Sequence, residues 1–282
     1  MRESTNEATR TPDRKRALRQ LTISYLATNA FVFALSRKTP MQYGLHELIG
    51  ALFLVAALAS IRRDDDDITR YGVRLGGIFP GKTGDDRSLV RAIVEGIPRA
   101  FRELGVAAAV ALVVLPVYAF FWPMFNHAPA ARHFALDGPK LKEILTNLLA
   151  VALTEEMYFR GYIQTRMGDA LGVESPVSPA SPEPKRDSVT GEAQPAYRAS
   201  IAQESGSQNA VVARLKAMAV PIVITSALFA ITHVTVEVTI QRAVVFFPGL
   251  LFGFVREWRK GIGAAVFLHA ISNVFELWLE GR

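Results

Sequence analysis

The stretch Leu153-Thr154-Glu155-Glu156-Met157-Tyr158-Phe159-Arg160-Gly161 decides how the chain is read. It sits inside an apolar helical pattern that runs from about Leu141 to Leu171. Two adjacent glutamates and an arginine are foreign to such a run. One ionised side chain at mid-membrane costs roughly 2.5–3.5 kcal/mol on insertion scales, so a span that carries three has a use for them. On a helix, Glu156 and Arg160 are four apart, share a face and can pair. Glu155 is turned about 100° from Glu156 and points elsewhere. One carboxylate is then held by the guanidinium and one is left free. A free carboxylate in a low-dielectric, partly wet pocket can act as a general base or acid near neutral pH. A structural ion pair between spans accounts for the same residues and stays open at this point.

The surroundings of this stretch are those of a membrane protein. Half of the 282 residues are hydrophobic, and the charges cluster between apolar blocks. A net charge of +6 does not point to nucleic acid, because Lys and Arg fall where cytoplasmic loops would be. The absence of cysteine excludes disulfides and thiolate metal sites.

Upstream, residues 1–20 form a basic tail with Arg14, Lys15, Arg16 and Arg19 near its end. Residues 21–35 follow as a short first span, or as a helix lying on the membrane surface. A second span has its core at residues 48–61, with His46-Glu47 near its start. That pair is not the zinc-protease pattern, because Gly50 stands where the second histidine belongs. Asp64–Asp67 reads as a solvated loop. Residues 76–83 formally match the phosphate-binding pattern that ends in Lys82-Thr83, but Pro80 removes an N–H from the cradle and no buried strand precedes it. Residues 88–103 read as an amphipathic surface helix. A span at residues 104–125 follows, with Pro116 as a kink and Trp122 at the interface. His127 and His133 fall in a polar loop.

Downstream, residues 172–209 are rich in Ser, Pro, Glu and Gln and read as a disordered insert. Spans at 220–240, 243–258 and 262–279 complete the chain. Two of them carry polar residues at helical spacing: Phe229 with His233, and His269 with Asn273. A His–Asn pair on one face of an apolar helix can donate to a developing oxyanion, or can be interhelical glue.

The three sets, Glu155-Glu156-x-x-x-Arg160, Phe229-x-x-x-His233 and His269-x-x-x-Asn273, resemble the three-motif signature of the CPBP family. These are the CAAX prenyl protease and bacteriocin-processing (Abi) intramembrane proteases. The text Glu155-Glu156-Met157-Tyr158-Phe159-Arg160-Gly161 is similar to the family's E-E-x-x-F-R-G. The resemblance covers about residues 140–282 without the insert. It implies a glutamic intramembrane peptidase in which Glu155 and His233 activate water, and His269 and Asn273 stabilise the oxyanion. Glu156, Arg160 and Phe229 then shape the site. The scheme needs no metal or other cofactor, although Glu155, His233 and His269 would also suit zinc.

The expectation is therefore an all-α polytopic helical membrane protein. It has about seven transmembrane helices (six to eight) around an intramembrane polar site. Residues 1–20 are a cytoplasmic tail, 21–139 carry N-terminal membrane helices, and 140–282 form the protease-like core interrupted at 172–209. Lys and Arg place the N-terminus in the cytoplasm and the chain in the cell inner (plasma) membrane. The expected partners are the lipid bilayer and a membrane-associated protein or peptide substrate. A non-catalytic partner-binding, immunity or scaffolding protein would use the same polar core structurally.

Overall fold

The computed structural model describes residues 14–38, 44–63, 68–73, 89–126, 130, 136–173 and 208–281. The basic residues before Arg14, Asp64–Asp67, the Lys82 motif, His127, His133 and nearly all of the polar insert lie outside the described residues.

Seven helices account for most of the rest, and no strand occurs among the described residues. They are α1 (Arg14–Lys38), α2 (Leu45–Arg63), α3 (Leu89–Asn126), α4 (138–171), α5 (Gln208–Glu237), α6 (Phe246–Arg259) and α7 (Gly263–Glu280). Short 3₁₀ turns at Ile68–Tyr71 and Ile240–Val245 complete the set. Among the described residues, three stretches are long and apolar enough to cross a membrane: Leu45–Arg63, Gly96–Met124 and Leu215–Glu237. The other helices owe their lower apolarity to particular features. α4 and α7 carry the acidic, basic and amide side chains described below. α6 has 14 residues, about 21 Å of helix against a hydrocarbon core of about 30 Å.

The surface helix expected at 88–103 and the span expected at 104–125 are one helix of 38 residues. Pro98, Pro116 and Pro123 all lie inside it. Its outward face is strongly apolar, with Leu112 78% and Phe120 74% exposed. α1 is inverted relative to a water-soluble helix. It buries Gln20, Ser24 and Thr28 and exposes Leu18, Ile23, Leu26, Phe31 and Phe33. A face of that composition turned outward is one that lipid solvates, because polar groups in hydrocarbon must find partners inside the protein. Ser24 does so with Ser60 at 3.1 Å and Tyr158 at 3.3 Å. Tyr25 donates to the Leu228 carbonyl at 2.9 Å.

α4 is the axis of the bundle. It runs unbroken from Gly138, where Asp137 caps it by accepting from the Lys140 N–H at 2.8 Å. It ends at Gly172, which takes the left-handed conformation at φ 72°. Two stretches within it, Asn147–Ala152 and Met157–Ile163, have the wider π-helical turn. Between them lies the four-residue α segment Leu153–Glu156. Such local widening recurs at functional sites because it re-aims side chains without breaking the helix. Residues 154–169 of α4 are all buried. Phe53 of α2 packs on Tyr158 and Phe159 with ring centroids 5.4 Å apart in both pairs.

α2 reaches α4 through Gly50. A Cβ at that position would overlap the Ala150 carbonyl oxygen and crowd Thr154 Oγ1 at 3.2 Å. Gly105 of α3 has open space around it. Gly50→Ala is therefore expected to destabilise the protein by about 1–3 kcal/mol, the range for overpacking. Gly105→Ala should be neutral or stabilising by up to about 1 kcal/mol. Thermal unfolding of the two variants in detergent checks the contrast.

Candidate active site

Glu155 and Glu156 are adjacent in sequence but meet different surroundings. Glu156 is wholly buried. Its Oε1 lies 3.4 Å from Arg160 Nη1 and 3.0 Å from His269 Nδ1. Arg160 is also wholly buried. It donates through Nη2 to the Gly249 carbonyl of α6 at 3.0 Å. Its guanidinium carbon sits 4.3 Å from the centre of the Phe229 ring and 5.4 Å from that of Phe252. Aromatic faces stabilise a desolvated cation by about 2 kcal/mol. The glutamate–arginine pair expected from the spacing is thus present, and it is the centre of a larger packed unit.

Glu155 turns to the other side, as the helical angle predicts. It is 8% exposed. Its Oε2 lies 3.9 Å from His233 Nε2 and 3.8 Å from His269 Nε2, and no protein group hydrogen-bonds to it. Both separations exceed a direct hydrogen bond and suit groups that share a water.

The two histidines are oriented by their other ring nitrogens. His233 Nδ1 lies 3.0 Å from the Phe229 carbonyl one turn earlier on α5. A carbonyl only accepts, so Nδ1 carries the proton, and in the neutral ring Nε2 presents its lone pair toward Glu155. His269 Nδ1 faces the Glu156 carboxylate, and its ring stacks on Phe252 at 4.8 Å. Phe229 packs beside both imidazoles, at 4.3 Å from His233 and 6.0 Å from His269.

Asn273 is one turn beyond His269 on α7. Its Nδ2 donates to Asn147 Oδ1 at 3.3 Å, and Asn147 Nδ2 donates to the Glu143 carbonyl at 3.0 Å. The structure therefore gathers Glu155, Glu156, Arg160, Phe229, His233 and His269 in one cluster. It sets Asn273 at the rim against Asn147.

Sequence reasoning missed Asn147, Gly249 and Phe252. A signal existed for two of them. Asn147 is a lone amide in the apolar run, eight residues before Glu155 and so near the same face. Gly249 and Gly253 are four apart, the small-residue spacing that lets membrane helices approach closely. A Cβ at Gly249 would stand 3.1 Å from Arg160 Nη2, and one at Gly253 would stand 2.9 Å from Gln164 Oε1. Phe252 had no signal, because one more phenylalanine in an apolar helix is unremarkable until its ring is seen on His269.

Among the described residues no group of three or more His, Asp and Glu side chains is arranged to hold a metal ion. The nearest approach to one is the Glu155–His233–His269 set, with the 3.8–3.9 Å separations given above. An apolar groove of about 750 Å³ between α3 and α7, lined by residues such as Leu112, Phe120, Phe275 and Trp278, contains none of the site residues.

No curated protein and no solved structure matches the chain. Residues 138–275 do match a protein family, described as type II CAAX prenyl endopeptidase Rce1-like. That stretch begins at the first residue of α4 and ends within α7, so it contains every side chain of the cluster. Over these residues the chain is similar to the Rce1-like group of the CPBP family, whose description is that of a CAAX-type endopeptidase.

Proposed function

We propose that the protein is an intramembrane endopeptidase that hydrolyses peptide bonds in membrane-associated proteins or peptides, with Glu155 as general base. One observation carries this reading. Glu155 Oε2 is nearly buried, has no protein hydrogen-bond partner, and stands 3.8–3.9 Å from two imidazole nitrogens. A carboxylate held in that way is arranged for a water, not for a structural contact.

The chemistry follows from the acceptor pattern. A water between Glu155 Oε2 and His233 Nε2 gives one hydrogen to each and keeps its lone pair for the substrate. Glu155 takes the proton as the water oxygen bonds to the peptide carbonyl carbon. The carbonyl oxygen becomes an oxyanion, and donors are needed where that charge develops. His269 Nε2–H can serve when its ring carries both protons, and the carboxylates of Glu156 and Glu155 are the countercharges for such a ring. Asn273 has a second N–H beyond the one given to Asn147. Glu155 then returns its proton to the leaving amine as the C–N bond breaks. Arg160 and Glu156 keep His269 and Phe229 in place and take no part in proton transfer.

The chelation alternative uses the same Glu155, His233 and His269, with zinc as the water activator. A non-catalytic partner-binding or scaffolding protein would keep the Glu156–Arg160 unit but has no use for an unpartnered Glu155.

The two glutamates should separate function from stability. Glu155→Gln is expected to lose cleavage of membrane-anchored peptides while the unfolding midpoint stays unchanged. Full activity in that variant would overturn the assignment. Glu156→Gln leaves Arg160 buried without its counter-ion and should destabilise the protein by about 3–5 kcal/mol, read as a lowered thermal midpoint in detergent. Cleavage by the unmodified chain is expected to persist after dialysis against a strong chelator. Loss restored by zinc would assign the water activation to a metal.

A further inference from the structure

The helices that build the site are closed at one end and open at the other. In α4, residues 154–169 are all buried and none of 138–151 is. α5 changes at the same level: Thr232 is buried, and residues 233–237 are half-buried. α7 buries His269 and Ala270 and leaves 271–276 half-buried. α6 and its leading 3₁₀ turn bury nothing from 240 to 248, then Gly249, Phe252, Gly253 and 255–257. The site lies on this boundary. Glu155 and His269 are on the buried side, and His233, Asn273 and Asn147 are on the reachable side.

The closed end is fastened by polar groups as well as by packing. Arg70 Nη2 lies 2.7 Å from both carboxylate oxygens of Asp169. Tyr71 is wholly buried against Tyr162, with ring centroids 5.8 Å apart. The Ile262 N–H donates to the Gly72 carbonyl at 3.1 Å. Deeper in, Gln164 donates to Glu257 at 2.8 Å, and Arg256 to Thr165 at 2.6 Å. A peptide entering from this end would have to part these bonds and pass the wholly buried Arg160. From the other end the polar side chains it meets, His233, Asn147 and Asn273, are half-buried.

Charge says which end faces the cytoplasm. The helices alternate in direction. α4 runs antiparallel to α7, since Glu156 meets His269 and Asn147 meets Asn273. It runs parallel to α6, since Arg160 meets Gly249 and Gln164 meets Gly253. α1 runs parallel to α5, since Tyr25 meets Leu228 and Arg37 meets Thr235. Among the described residues, those within 14–20, 62–73, 89–103, 160–173, 208–216 and 256–260 therefore belong to the closed end and hold 17 Lys and Arg. Among the described residues, those within 36–38, 136–142 and 237–242 belong to the open end and hold five. Basic residues are retained on the cytoplasmic side. The closed end is the cytoplasmic one.

We propose that the site is entered from the non-cytoplasmic side, so that its substrates are membrane-anchored polypeptides whose cleaved segment has already crossed the bilayer. Tails presented from the cytoplasm are excluded by the closed end. The word substrate rests on the peptidase reading, but the direction of entry does not.

The chain has no cysteine, so single cysteines can report access by reaction with a membrane-impermeant methanethiosulfonate reagent. Right-side-out and inverted membrane vesicles would be compared, with modification read by intact-protein mass. Lys260→Cys, exposed at the closed end, should react only in inverted vesicles. Asn147→Cys should react only in right-side-out vesicles, and the buried Thr165→Cys in neither. Ser272→Cys, half-buried beside Asn273, carries the same expectation as Asn147→Cys if that variant fails to fold. Reaction of both mouth cysteines from the inverted side, or of neither from either side, would overturn the proposal. So would reaction of Lys260→Cys in right-side-out vesicles. Labelling needs no turnover, so the direction of entry stands or falls independently of whether the chain cleaves a given peptide.

Discussion

A guanidinium wholly removed from water must be satisfied where it lies, and that constraint on Arg160 organises the centre of the molecule. Removing an ion from water costs several kcal/mol even after the surroundings relax. One counter-ion at 3.4 Å is not enough to offset it. Further support comes from three groups on two other helices: the Gly249 carbonyl of α6, the Phe229 ring of α5 and the Phe252 ring of α6. Each of these contacts fixes something else. Gly249 brings α6 against α4. Phe229 sets the carbonyl that orients His233. Phe252 stacks on His269, whose Nδ1 returns to Glu156. Glu156 and Arg160 therefore hold both histidines, and Glu155 needs only to point away from them to face the two Nε2 atoms.

The seam between α4 and α6 extends the same device. Glu156, Arg160 and Gln164 stand four apart on α4, and Gly249, Gly253 and Glu257 stand four apart on α6. Arg160 meets the Gly249 carbonyl, and Gln164 meets the Gly253 carbonyl at 3.3 Å and the Glu257 carboxylate. Helix carbonyls ordinarily give their lone pair to the next turn. They can take a second donor only if the neighbouring helix comes very close, and that requires residues without a side chain at 249 and 253. Polar residues on one helix and glycines on the other are thus two halves of a single packing solution.

Much of this was legible in the sequence. Glu156 and Arg160 had to pair because four residues apart is one helical turn, and Glu155 had to diverge because one residue apart is not. The divergence of Glu155 from Glu156 falls within the α segment 153–156, and the Glu156–Arg160 pair forms although Arg160 lies in the π-helical turn 157–163. The polar residues of α5 and α7 could be listed but not joined, because nothing local says that His269 approaches Glu156 across 113 positions. Asn147 was hidden for the same reason, since its meaning depends on Asn273. The continuity of α3 was misread because arginines in its first half look like a surface helix. A helix can leave the membrane without ending, and side-chain polarity marks the depth at which it does so, not a break in the backbone.

Hydropathy and fold diverge here for a physical reason. The stretches apolar enough to cross a membrane unaided lie in α2, α3 and α5, whereas α4 and α7 carry the carboxylates, the amides and a histidine. A polar side chain lowers a helix's affinity for lipid only while it faces lipid. Glu156 pairs with Arg160 and His269, and Gln164 with Gly253 and Glu257, inside the bundle, so the protein supplies the solvent these groups would otherwise lack. α4 is sealed from residue 154 to residue 169, with its polar groups bonded pairwise toward the basic end. The polar groups toward the other end, His233, Asn273 and Asn147, are the ones left half-buried. The proposed hydrolytic site would need a supply of water without a leak across the bilayer, and a polar column bonded shut on one side and open on the other suits both.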